Sequence, residues 1–311
     1  MSREKIYLTG FLLTAGFLLF VGRGLLESSV LITWTLAFSG TTAVAILGAV
    51  VYRLQLQLKE SRHELALKEA EVNFALQVQQ LLFPRKFPEH SGLEFSAACI
   101  PARGISGDYY DVLSMPDGRL VFAIADISGK GIPAAIVMAN LQALLRVLVA
   151  ANLSPREVCG RLNQHLYQVT ESSRFATFFY AEWTNNERKL RYVNAGHHPP
   201  LVNGSSEFPL DRGGLPLGTF PDNDFQEGEI LLEPQDMLAL YSDGIVEAIG
   251  KTGIEFGKDR LEALVRADLN QSLARIQQTV LDEVKRWTNR EPQDDITLVL
   301  VRVEQPREDA Q

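Results

Sequence analysis

Apolar residues crowd the start of the chain. Residues 6–22 (IYLTGFLLTAGFLLFVG) and 28–52 (SSVLITWTLAFSGTTAVAILGAVVY) carry no charge, and each approaches or exceeds the roughly 20 residues that a helix needs to cross a bilayer. The first run alone, with Arg3 and Lys5 ahead of it, also fits a secretory signal. A second uncharged run directly behind it favours a transmembrane hairpin. Arg3 and Lys5 precede the first run, Arg53, Lys59 and Arg62 follow the second, and the loop between sets Arg23 against Glu27. The positive-inside rule then puts both ends in the cytoplasm. Ala37, Thr41, Ala45 and Ala49 form a small-residue stripe that permits close helix packing, within the hairpin or between two copies.

The pattern changes at Arg53. From there to Leu82 (RLQLQLKESRHELALKEAEVNFALQVQQLL) good helix formers run without Gly or Pro, which predicts a helix. Leu58, Leu65 and Val72 recur every seventh residue, as do Leu67, Phe74 and Leu81. Two such rows do not make one clean seam. The helix therefore serves either as a parallel coiled coil continuing the second span or as a helix packed on its own domain. Phe83-Pro84 and Phe87-Pro88 stop it, because proline lacks the amide hydrogen and restricts the residue before it. Beyond them short strands alternate with helices. Strands are predicted at 93–100, 109–113, 120–125, 175–183, 189–194, 229–232, 237–241 and 296–303, and helices at 133–150, 155–171, 258–267 and 271–288. That order predicts antiparallel sheet with helices outside, not a regular βαβ repeat.

Composition narrows the function. The 311 residues hold 30 Lys+Arg against 38 Asp+Glu, a net charge of −8, which disfavours nucleic acid as a partner because phosphate backbones call for a basic face. With 46% hydrophobic and 22% charged residues the chain is packed protein, not a disordered one. Cys99 and Cys159 offer no CxxC spacing, so neither a disulfide framework nor a zinc knuckle is available, and both read as buried small apolar residues.

Candidate chemistry sits where strands stop. Asp108 and Asp111 lie in SGDYYD, Asp126 in Ala125-Asp126-Ile127-Ser128-Gly129-Lys130-Gly131, Asp243 in Ser242-Asp243-Gly244, and Asp294-Asp295 just before the last strand. Any one Asp-Gly pair is first of all a turn signal. Together they supply the short carboxylates that a hard divalent cation binds, with a carbonyl freed by a glycine turn as a further oxygen ligand and water filling the remaining positions. Ser128-Gly129-Lys130-Gly131 is not a P-loop, which would need Gly at Ile124 and Ser or Thr at Gly131. His197 and His198, in NAGHHPP, fit either metal ligation or a rigid loop leaving a strand.

Taken in order, the Leu81-Leu82-Phe83-Pro84 lead-in, SGDYYD, ADISGKG, NAGHHPP, Leu217-Gly218, YSDGIVEA and DDITLVLV resemble the SpoIIE/RsbU-type serine phosphatases over residues 81–303. These are the bacterial branch of the metal-dependent PPM (protein phosphatase 2C-like) superfamily. The resemblance implies an α+β fold, a PPM-type αββα sandwich of two antiparallel sheets flanked by helices. It also implies that Asp108, Asp126, Asp243 and Asp294 are catalytic metal ligands, with the Ile127 carbonyl as an oxygen ligand and Asp111 and Asp295 in supporting places. The implied cofactors are two divalent ions, Mn2+ or Mg2+, which activate a water without any phosphoenzyme. Eukaryotic relatives place an arginine on the phosphate. This branch has no motif that fixes one, and Arg103 is the nearest candidate, against the plainer reading of a solvated surface arginine.

The implied activity is hydrolysis of phosphoserine or phosphothreonine on a small STAS-type antagonist of an anti-sigma factor. The alternative is a membrane-anchored docking protein that binds its partner without turnover. The expected division is a transmembrane hairpin (1–52), a linker helix (53–82), a phosphatase domain (83–304) and a disordered tail (305–311). The expected setting is a homodimer in the lipid of the cytoplasmic membrane, catalytic domain inside.

Overall fold

The computed structural model describes residues 3–25, 30–89, 92–102, 104–170, 174–203, 209–267, 269–288 and 292–305. Arg103 and the tail beyond residue 305 lie outside them. Packing separates Met1–Ala70 from Glu71–Gln311.

The first unit is helical: α1 (Arg3–Leu25), then α2 (Val30–Gln80), which continues into the second unit. α2 runs unbroken for 51 residues through the second apolar run and the linker, as expected where no proline interrupts. From Trp34 it is long and apolar enough to cross a membrane; the described apolar part of α1, Phe11–Arg23, is shorter. Phe20 and Phe38 are 79% and 76% exposed, the aspect a lipid-facing helix presents. Leu58, Leu65, Leu67, Phe74 and Leu81 are exposed as well.

The second unit is the predicted sandwich. One sheet holds β1 (Leu93–Ile100), β6 (Leu201–Asn203), β9 (Met237–Tyr241) and β10 (Ile296–Val303), in the spatial order β1-β10-β9-β6. The other holds β2 (Tyr109–Ser114), β3 (Leu120–Ile127), β4 (Ala176–Thr184), β5 (Lys189–Ala195) and β7 (Gly213–Gly214) in that order, with β8 (Gly228–Leu231) also on β5. Helices α3 (Ile132–Ala150) and α4 (Pro155–Thr170) cover the second sheet, while α5 (Asp243–Val246), α6 (Lys258–Arg266) and α7 (Leu273–Thr288) cover the first. One pairing departs from the antiparallel expectation: β7 lies parallel to β5 over two residues. β6, β7 and α5 were not predicted, being too short to show a period.

Period-two alternation builds the layers. In β3, Val121, Ala123, Ala125 and Ile127 pack under α3 and α4, whereas Leu120, Phe122 and Ile124 meet β10 and β9 across the sandwich. In β10, Leu298 and Leu300 face α7 while Val299, Val301 and Val303 face the other sheet. Ile132–Ala150 is as hydropathic as a membrane span, yet 44% of it is buried in this core, as its sequence reading as a core helix requires. Cys159 is buried; Cys99 is only half-buried.

Candidate metal centre

Strand parity decides which aspartates meet. Asp126 follows Leu120, Phe122 and Ile124 onto the inter-sheet face of β3, and Asp108, next to β2, shares the parity of Tyr110 and Val112, which face the same way. Asp243 opens α5 directly after β9, and Asp294 and Asp295 lead into β10. Two strand ends from each sheet thus bring carboxylates to one end of the sandwich.

The loops permit this closeness because two residues lack side chains. A Cβ on Gly244 would stand 2.0 Å from the Asp295 carbonyl oxygen, so only glycine lets the Asp243 turn lie on the segment before β10. A Cβ on Gly107 would stand 3.2 Å from the carbonyl oxygen of Ile127, which sets that oxygen beside the loop bearing Asp108.

The charges are mutually unfavourable. Asp108 is buried, and burial followed by repulsion from Asp126 holds its carboxyl well above the usual range, although Thr297 Oγ1 donates to its Oδ2 at 2.6 Å. Asp126 is pushed up to about 7 by burial and by the nearby Asp243, Asp294 and Asp295, with Lys130 opposing. Asp243 is raised by burial, Asp294 and Glu247, with His198 opposing. Asp294 is 42% exposed and pairs with Lys130 Nζ at 2.6 Å. Among the described residues no three carboxylate, imidazole or thiolate groups converge on one point as the side chains stand. The donor set nonetheless fits hard cations: short carboxylates that repel one another, close to a backbone carbonyl, with few protein cations to offset them.

The supporting aspartates part company. Asp295 accepts from the Ala102 amide at 2.8 Å, Ser106 Oγ at 2.9 Å and the Gly107 amide at 2.7 Å, so it braces the turn that carries Asp108. Asp111 does not join the cluster. It has the parity of Tyr109, points under α3, and accepts from Tyr109 Oη at 2.6 Å and Arg146 Nε at 2.8 Å. It ties β2 to α3. His197 is buried, bonded through Nδ1 to Thr177 Oγ1 at 2.8 Å, and pushed down to about 3 by burial and by His198; its partners suit the rigid-loop reading. His198 stacks on Tyr241 with ring centroids 5.5 Å apart and lines, with Asp126 and Asp243, a cavity of about 150 Å³.

Sequence reasoning missed Gln79. Buried in the last turn of α2, its amide donates to the Ser106 carbonyl at 2.7 Å and accepts from the Ser106 amide at 2.9 Å. On the same face, Val72 lies against Gly104, so the end of the linker packs on its own domain, and Phe83 rests on Tyr110 with centroids 5.1 Å apart.

A family model described as Stage II sporulation protein E (SpoIIE) matches residues 116–304, more than half of the chain. The chain belongs to the SpoIIE family. This SpoIIE-family chain is 31% identical over 237 residues to phosphoserine phosphatase RsbU of Bacillus subtilis (strain 168), across 75% of its own length and 70% of RsbU. Its fold matches the SiaA-PP2C domain of Pseudomonas aeruginosa with a TM-score of 0.67 at 20% identity, covering 76% of this chain and 98% of that one. It also matches RsbX in complex with magnesium with a TM-score of 0.52 at 19% identity, covering 70% and 98%. These two likenesses establish the fold as PP2C-like. Asp126, Asp243 and Asp294 lie within the segment matched by the SpoIIE model, and Asp108 precedes it.

Proposed function

We propose that the protein is a metal-dependent serine/threonine phosphatase that removes phosphate from phosphoserine or phosphothreonine on a STAS-type anti-sigma factor antagonist. The observation that carries this is the meeting of Asp108 and Asp126 from one sheet with Asp243 and Asp294 from the other, in a chain whose relative RsbU is a named phosphoserine phosphatase. Asp108, Asp126, the Ile127 carbonyl, Asp243 and Asp294 would hold two ions, Mn2+ or Mg2+. Bound there, such ions acidify water and neutralise phosphoryl charge, so that no Cys or Ser nucleophile is required.

The chain's own part is positional. Thr297 engages one oxygen of Asp108, and Ser242 also hydrogen-bonds this carboxyl. Asp295 fixes the turn before Asp108 through three donors. A cavity of about 790 Å³, lined by Lys130, Asp243, Glu247 and Asp294 among others, gives a phosphorylated side chain access to the cluster.

The apolar helices anchor the protein in the cytoplasmic membrane, with both ends and the phosphatase domain in the cytoplasm. The exposed Leu67, Phe74 and Leu81 row supports association as a homodimer. The test is phosphate release from phosphoserine proteins by the full chain in nanodiscs, with Mn2+ and with EDTA. Release that is abolished by EDTA and by Asp126→Asn is expected. Binding of a phosphoprotein without release would favour the docking alternative.

A further inference from the structure

Lys130 belongs to the loop that follows β3, between Gly129 at φ 94° and Gly131 at φ 73°. Its Nζ donates to Asp294 Oδ2 at 2.6 Å and to the Gln293 carbonyl at 2.7 Å. It thus links the loop beyond Asp126 to the segment before β10. Among the described residues it is the one Lys or Arg ion-paired with any of the four clustered aspartates, and it also offsets the charge of Asp126. Both partners are about two-fifths exposed, Lys130 at 40% and Asp294 at 42%, so the pair is weak and breaking it costs little.

Lys130 also lines the cavity of about 790 Å³, alongside Asp243, Glu247, Glu255 and Asp294. A phosphoryl dianion entering a cavity with that lining is repelled unless cations receive it. Among the described residues Lys251 is the other cation on the wall, in the turn between α5 and α6. An ammonium on a flexible four-carbon stem is suited to change partners, since it donates in three directions and does not depend on one planar geometry.

We propose that Lys130 is an exchangeable counter-ion: it occupies Asp294 while the protein is metal-free, and when a divalent ion takes that carboxylate the ammonium turns to the phosphoryl group in the cavity. This rests on the phosphatase reading above and adds to it a residue that contacts the anionic substrate. The exchange makes two opposite demands on one side chain. Removing the ammonium frees Asp294 for metal and so favours metal binding, yet it deprives phosphate of a charge-assisted donor.

The test is calorimetry on the full chain in detergent, first with Mn2+ alone and then with inorganic phosphate added to the Mn2+-loaded protein, for the parent, Lys130→Met and Lys130→Arg. Lys130→Met is expected to bind Mn2+ about two- to fivefold more tightly, in keeping with loss of a weak competing pair, and phosphate about tenfold or more weakly, in keeping with loss of a charged donor. Lys130→Arg should restore most of the phosphate affinity. Unchanged phosphate affinity in Lys130→Met, or weaker Mn2+ binding, would overturn the inference. A parent protein that binds no Mn2+ would instead overturn the phosphatase reading itself, so the two failures are distinct.

Discussion

Asp126→Asn should stabilise the metal-free protein at neutral pH even as it abolishes turnover. Asp126 stands at the end of β3 against Asp243, Asp294 and Asp295, and burial together with their charges raises its carboxyl from 3.8 to about 7. A carboxyl that is held protonated more firmly in the folded chain than in the unfolded one contributes its stability at low pH. That contribution is complete below about 3.8 and is lost as pH rises to about 7. The loss amounts to on the order of 4 kcal/mol at most. Neighbouring carboxylates respond when one charge is removed, so about half of this, ~2 kcal/mol, is the expected gain for the asparagine variant above pH 7. The assay is urea unfolding of the full chain in detergent and EDTA from pH 5 to 8, read from the emission of Trp183, which is fully buried. The parent should weaken steadily with pH, and the variant should follow a flatter curve that lies above it at pH 7 to 8. Mn2+ at a hundred times its dissociation constant should then add about 2.7 kcal/mol to the parent and little to the variant, reversing the order. Equal pH slopes in EDTA would refute the reasoning, because ionised Asp126 would then carry no penalty.

Asp126→Asn and Asp243→Asn should each lower Mn2+-dependent phosphate release at least about a hundredfold with an unchanged near-ultraviolet dichroism spectrum; turnover close to that of the parent would remove the residue from the ligand set. Asp111→Asn should cost about 1–3 kcal/mol of stability through the lost Arg146 pair, whose arginine can partly reach water, and should leave Mn2+ affinity within about twofold of the parent; a large fall in affinity would return Asp111 to the metal site. Reporters fused after Gly24 and after Arg62 should report opposite sides of the membrane, and agreement between them would remove the hairpin. A Leu67→Lys, Phe74→Lys variant in nanodiscs should alter turnover more than Mn2+ affinity; equal activity and equal oligomeric state would reduce the linker to a spacer.

The strands were legible because their apolar residues alternate or run unbroken, and the clustered aspartates because each sits at the end of such a strand, just after β9 or at the end of β3 beside a glycine turn, or just before β2 or β10. The failures concern contacts that no local pattern encodes. In SGDYYD the parity that separates Asp108 from Asp111 is present in the sequence, but the partner that gives Asp111 its role, Arg146, lies 35 residues on. Lys130 reads as a defective P-loop until the fold sets it on Asp294, 164 residues away. Gln79 is one of several glutamines on a polar helix, and only tertiary packing buries it at 4% exposure. Gly244 announces a turn, yet the stronger reason for a glycine there, the Asp295 carbonyl at 2.0 Å from any added Cβ, comes from the other side of a chain crossing.

Carboxylates of like charge cannot hold themselves together, so the site depends on register and on hydrogen bonds from outside the cluster. β1 pairs with β10 from Leu93 opposite Val303 to Ile100 opposite Ile296, and this pairing delivers the segment after Ile100 to the side of Asp295. A slip of one residue would turn Thr297 away from the inter-sheet face and cost Asp108 its Thr297 donor. The inter-sheet apolar layer, with Phe122, Ile124, Leu240 and Val299, opposes such a slip, because it would expose every one of β10's inward side chains to the wrong face. On that fixed frame the Ser106 turn is gripped by Asp295 from the first sheet and by Gln79 from α2. Each buried polar group left unpaired in that turn would cost about 1–3 kcal/mol. The turn that carries Asp108 is therefore at its most stable only when the linker helix and both sheets are in place together.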